Sequence, residues 1–294
     1  MNVVKHLFSP FREFLFTLKQ HAFYFLIASF AFFISTIVTN PILFKLLFPS
    51  LHVVDFLKEH SFALNFVSLT GQLVFAACVF YYYYKVFING NPVKSVKVFV
   101  ASSIAANLFF MIVTFIPTII VYILNVLFGV KSIEFLIISV VTTFAVSASY
   151  AIYVIPYFYG KTLTESEGIK DALKTFLSAL KFKNYFRFIK DGLYFKTFFE
   201  TSFIIGIVII LLFTPVIISY NGMVSTSDPA VFKKMFILNN VLIAVAYAFV
   251  SYAMIFVSVK TYKEYTEKKS LAEEKQINTQ ESAVENKNDK KETK

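Results

Sequence analysis

Asn65, Ser68 and Gln72 stand three and four residues apart in a run that holds no Lys, Arg, Asp or Glu. That spacing places three neutral hydrogen-bonding groups on one helix face. Together with Asn107, in a second run of the same kind, they form the candidate intramembrane polar site. Such amide and hydroxyl groups donate and accept hydrogen bonds, to an uncharged guest or to a neighbouring helix. A second constellation is basic: Lys181, Lys183, Arg187 and Lys190, interleaved with Tyr185, Phe186, Phe188 and Ile189. Cations alternating with apolar side chains at helical spacing are candidate contacts for anionic lipid headgroups.

No residue is assigned a catalytic role. HExxH, GxSxG, GxxxxGK[ST] and GxGxxG are all absent from the chain. The apolar runs carry no carboxylate or cation, which removes the groups that proton relays and aspartyl chemistry require. Serine hydrolysis lacks a base near a nucleophile. His6, His21, His52 and His60 are scattered without ligand spacing, so no metal and no cofactor are assigned. Cys78 is the single cysteine, which excludes an intramolecular disulfide.

The elements that must carry these groups are set by six charge-free stretches, 22–44, 60–84, 98–130, 135–160, 201–227 and 235–259. A bilayer core about 30 Å thick needs about 20 apolar residues of helix, and each stretch is long enough. Lipid offers the backbone no partners, so the segments read as helices, and they lack the alternation of barrel strands. A 57% hydrophobic composition and a mean hydropathy of +0.67 exceed soluble-domain usage. The chain reads as an all-α integral membrane protein with six transmembrane helices, about 22–44, 62–84, 98–125, 135–158, 202–220 and 236–259, plus cytoplasmic amphipathic interfacial helices.

Three regions flank or interrupt the 22–260 membrane domain. Residues 1–21 predict a short amphipathic cytoplasmic helix interrupted at Pro10. Residues 164–195 predict an interfacial helical segment, opened by Thr164 and Glu167 at capping-box spacing. Ile169, Ala172, Leu173, Phe176, Leu177 and Leu180 form its apolar face, against lipid or against the ends of the spans. Residues 261–294 mix eight acidic with eight basic residues and predict a tail disordered after a short helical extension. Within the spans, Tyr81-Tyr82-Tyr83-Tyr84 before Lys85 predicts an aromatic belt at the headgroups. Pro117, Pro156 and Pro215 predict kinks, with Thr214 offering a hydroxyl to the loosened backbone. Ala145 with Ser149, and Ala244 with Ala248, suit close helix packing.

Charge sets the orientation. If all six stretches cross, 23 of the 28 Lys and Arg fall on the face that holds both termini. The positive-inside rule then makes both termini cytoplasmic in a multi-pass cell-membrane protein. No basic folded domain stands outside the spans, which argues against a nucleic-acid partner.

Tyr153-Val154-Ile155-Pro156 followed by Gly168-Ile169-Lys170-Asp171-Ala172-Leu173-Lys174 resembles a broad group of prokaryotic six-span membrane proteins. That group is similar to the membrane domain of glycerophosphodiester phosphodiesterases, and the layout covers about residues 1–260. Thr175 and Phe176 depart from the small hydroxyl residue the pattern carries there. The resemblance implies an architecture without hydrolase activity, because the hydrophilic segments are too short for a catalytic barrel. The resulting expectation is a non-enzymatic protein that organises lipid or a partner through its basic cytoplasmic face. The alternative is a permease for a neutral or amphipathic solute using Gln72 and Asn107. Membrane lipids are the expected partners; a protein partner and a homo-oligomer both stay open.

Overall fold

The computed structural model describes residues 2–49, 56, 59–88, 92–106, 108, 123, 156–179 and 181–292. Among them the regular structure is helical throughout, with no strand. The named helices are α1 (Asn2–Gln20), α2 (Ala22–Thr39), α3 (Pro41–Leu47), α4 (Ser61–Phe87), α5 (Ile169–Ala179), α6 (Phe182–Lys190), α7 (Gly192–Ser225) and α8 (Pro229–Glu292). Helical segments 92–106 and 156–165 lie between α4 and α5. Among the described residues, four helices are long and apolar enough to cross a membrane: Ala22–Thr39, Ser61–Phe87, Gly192–Ser225 and Pro229–Lys275. Most of the expected spans 98–125 and 135–158 lies outside the described residues, and so do Asn107, Pro117, Thr142, Thr143, Ala145 and Ser149.

The chain divides into two units, Met1–Phe99 with Glu200–Phe256, and Val100–Phe199 with Val257–Lys294. In the first, α2 and α4 pack side by side where both carry small residues. A Cβ on Gly71 would lie 2.8 Å from the Ala31 carbonyl oxygen and 3.3 Å from the Ser35 Cβ. In a bilayer, where lipid supplies no hydrophobic drive for helix association, such close backbone approach and the hydrogen bonds it permits would hold the pair. Aromatic rings complete the unit. Phe32 stacks on Tyr247 at 4.3 Å, and Tyr252 lies 4.7 Å from Tyr82 and 5.7 Å from Phe25. Ala244 and Ala248 are buried on α8, where their small side chains suit close packing.

The structure departs from three local expectations. First, α1 runs through Pro10, which is buried, so the missing amide costs a hydrogen bond without ending the helix. Second, α2 ends at Thr39 instead of continuing to residue 44. The Asn40 Oδ1 accepts from the amides of Ile42 and Leu43 at 3.1 Å each, and Pro41 starts α3 at a position that needs no amide partner. Third, Tyr82 and Tyr83 are fully enclosed rather than set in a belt, because four consecutive rings point around the helix and two meet protein. α8 is helical to Glu292. Pairs four residues apart line its first polar turns: Lys260–Glu264, Glu264–Lys268 and Lys269–Glu273 at 3.4, 3.7 and 3.9 Å. Each such pair supports a helix by about 0.2–0.5 kcal/mol.

Candidate functional site

The basic constellation is built in the second unit on a short amphipathic helix. On α6, Lys183, Arg187 and Lys190 follow at steps of four and three, and Lys181 precedes the first turn. All four side chains are exposed, while Phe188 between them is buried. One helix therefore turns a phenylalanine into protein and three cations outward, with Lys181 exposed just before its first turn.

An aromatic cluster holds Phe188 in place. Tyr157, in segment 156–165, lies 4.3 Å from Phe188, 5.6 Å from Tyr194, 5.3 Å from Tyr262 and 5.8 Å from Tyr265. Tyr194 is itself 4.9 Å from Phe188 and 5.4 Å from Tyr265. Edge-to-face and tilted pairs at these separations are favourable arrangements for aromatic quadrupoles. Carboxylates then fix the phenols. The Tyr265 hydroxyl donates to Asp191 Oδ2 at 2.6 Å, and the Tyr262 hydroxyl donates to Glu165. Asp191 also accepts from the Tyr194 amide through Oδ1 at 3.0 Å, so the same residue caps α7 and anchors the end of α6. Charge-assisted bonds of this kind are about twice as strong as neutral ones.

Gly160 permits the approach of segment 156–165 to α8. A Cβ there would overlap the Ser258 carbonyl oxygen and lie 2.8 Å from the Tyr262 Cβ. Lys268 ties α8 to α7 instead, its Nζ donating to Thr197 Oγ1 at 3.4 Å. Of these groups the sequence singles out only the cations and Phe188. Nothing along the chain marks Tyr157, Glu165, Asp191, Tyr262 and Tyr265 as partners, because 74 residues separate Tyr265 from Asp191 and 97 separate Tyr262 from Glu165. The spacing of Tyr262 and Tyr265 past the last apolar residue was the available signal.

The preceding helix departs from the expected cap. Thr164 ends segment 156–165, its hydroxyl donating to the Gly160 carbonyl at 2.8 Å, and α5 starts only at Ile169. Ala172 is buried on α5, whereas Ile169, Leu173 and Leu177 are 52%, 40% and 62% exposed. Those three stand four residues apart and form an open apolar stripe beside exposed Lys170 and Lys174.

The polar constellation lies in the first unit and divides. Ser68 is buried, its hydroxyl 2.9 Å from that of Ser35, so α2 and α4 use it between themselves. Asn65 and Gln72 are exposed, and Asn107 is outside the described residues. Asn239 and Asn240 are likewise satisfied locally, Asn239 accepting from Ser219 at 2.7 Å and Asn240 donating to the Phe236 carbonyl at 2.8 Å. The Thr214 hydroxyl donates to Ile210 at 3.2 Å, one residue before the Leu211 carbonyl that Pro215 leaves without its amide. Among the described residues no three His, Cys, Asp or Glu converge as metal ligands. No family model, curated protein or solved structure matches the chain.

Proposed function

We propose that this chain is a six-span cell-membrane protein with cytoplasmic termini that organises anionic lipid at its cytoplasmic face without catalysing a reaction. The observation that carries the reading is the anchored basic helix: Phe188 and Asp191 tie α6 to its unit while Lys181, Lys183, Arg187 and Lys190 face outward. A helix held in this way presents its charges without the entropic cost of ordering a loose loop. The open stripe Ile169, Leu173 and Leu177 on α5 supports the same reading, because an interfacial helix needs apolar residues to bury among acyl chains.

Native mass spectrometry from nanodiscs of mixed phosphatidylglycerol and phosphatidylcholine tests it. Each cation near an anionic surface contributes about 1 kcal/mol. The variant Lys181→Gln/Lys183→Gln/Arg187→Gln/Lys190→Gln should therefore lose at least tenfold of the preference for retained phosphatidylglycerol. Equal retention by wild type and variant would remove the basis of the proposal.

A further inference from the structure

We propose a second anionic phospholipid site on α1, in which Lys5 and Arg12 hold the headgroup and Phe8, Leu15 and Phe16 receive the acyl chains. It rests on the membrane reading above and involves no residue of α6. Lys5, Phe8, Arg12 and Phe16 follow at steps of three, four and four, so they share one helix face. Phe8, Leu15 and Phe16 are 46%, 41% and 62% exposed, and Lys5 and Arg12 are exposed beside them. These residues, with Ser9 and Glu13, line an open concavity of about 910 Å³. Two cations against the single carboxylate of Glu13 leave the face net positive.

The opposite side of α1 is fixed. Phe14 is fully buried, with its ring 5.3 Å from those of Phe249 and Phe256, and Pro10 is buried beside it. The Thr17 hydroxyl lies 3.0 Å from the Tyr82 hydroxyl. The open face is thus the one left to meet something outside the unit.

The occupant follows from depth and from chemistry. One residue, His21, separates α1 from α2, which is apolar enough to cross a membrane, so the end of α1 enters at headgroup level. A face that alternates aromatic rings with cations matches a molecule carrying both a phosphate and hydrocarbon. A soluble acidic protein would meet the cations and leave the rings unmatched.

The chain contains no tryptophan, so Phe16→Trp creates a single fluorescent reporter. The reporter is read in nanodiscs containing phosphatidylglycerol and phosphatidylcholine, with bromine on the acyl chains of one lipid or the other. At equal mole fraction, brominated phosphatidylglycerol should quench at least twofold more than brominated phosphatidylcholine. Adding Lys5→Gln/Arg12→Gln should abolish the preference, and Lys5→Arg/Arg12→Lys should keep it. The preference should also survive Lys181→Gln/Lys183→Gln/Arg187→Gln/Lys190→Gln, which separates this site from the α6 reading. Equal quenching by the two lipids, quenching only by aqueous acrylamide, or a preference that Lys5→Gln/Arg12→Gln leaves intact would each overturn the proposal.

Discussion

Gly160 and Gly71 do their work by lacking a side chain. At Gly160 any Cβ would enter the Ser258 carbonyl, and at Gly71 it would crowd the Ala31 carbonyl at 2.8 Å. Backbone atoms cannot step aside as a side-chain tip can, so the helices themselves must shift. Overpacking of this sort costs about 1–3 kcal/mol. Gly206 meets nothing within 4 Å, and alanine there removes only the backbone freedom that disfavours glycine in a helix, about 1 kcal/mol. Gly160→Ala and Gly71→Ala should therefore lower thermal stability in detergent while Gly206→Ala leaves it equal or higher. Three indistinguishable melting curves would refute the close-approach argument. All three residues lie in apolar or helix-compatible surroundings, and nothing in their neighbours along the chain separates the crowded pair from the open one.

Asp191 acts at the level of elements, since a single carboxylate serves the end of α6, the start of α7 and the side of α8. Its loss removes a helix cap, worth about 1 kcal/mol, together with the acceptor of the Tyr265 phenol. Tyr265→Phe removes that one hydrogen bond and leaves the cap. Hydrogen exchange should then speed about fivefold or more at amides 192–195 in Asp191→Ala, and less in Tyr265→Phe. Identical protection in the two variants would show that the cap does not form. The amphipathic pattern of 164–195 was readable because apolar and basic residues alternate at helical period. Its division was not: the capping-box spacing at Thr164 and Glu167 suggested a helix start, but the Thr164 hydroxyl closes the previous segment. The two readings use the same residue and differ only in which backbone lies nearby.

For the whole molecule, orientation is the property that every functional reading depends on. Cys78, the only cysteine, is buried, and Cys78→Ser supplies a background free of thiols. In that background Thr226→Cys, in the turn between α7 and α8, should react with a membrane-impermeant maleimide in intact cells. Lys183→Cys on α6 should react only after permeabilisation. The reverse pattern would invert the topology and place the basic face outside. The expected difference follows from the asymmetry of Lys and Arg among the connections if all six stretches cross, a property that needs no tertiary information.

The sequence by itself determined the helical, membrane-compatible character of the chain. Runs of charge-free apolar residues leave the backbone one way to satisfy its hydrogen bonds in lipid, and that constraint is local. It also marked the cations at and before α6 as a group, because Lys183, Arg187 and Lys190 follow at helical spacing and Lys181 stands two residues ahead. Only the tertiary structure decided how each polar or aromatic residue is used. Ser68 pairs with Ser35, two of four consecutive tyrosines turn into the protein, and Tyr262 and Tyr265 find carboxylates far back in the chain. A polar side chain in an apolar run requires a partner, but the partner's identity depends on which helices touch. That depends in turn on where a glycine or serine lets two backbones approach, and such a surface exists only once the chain has folded.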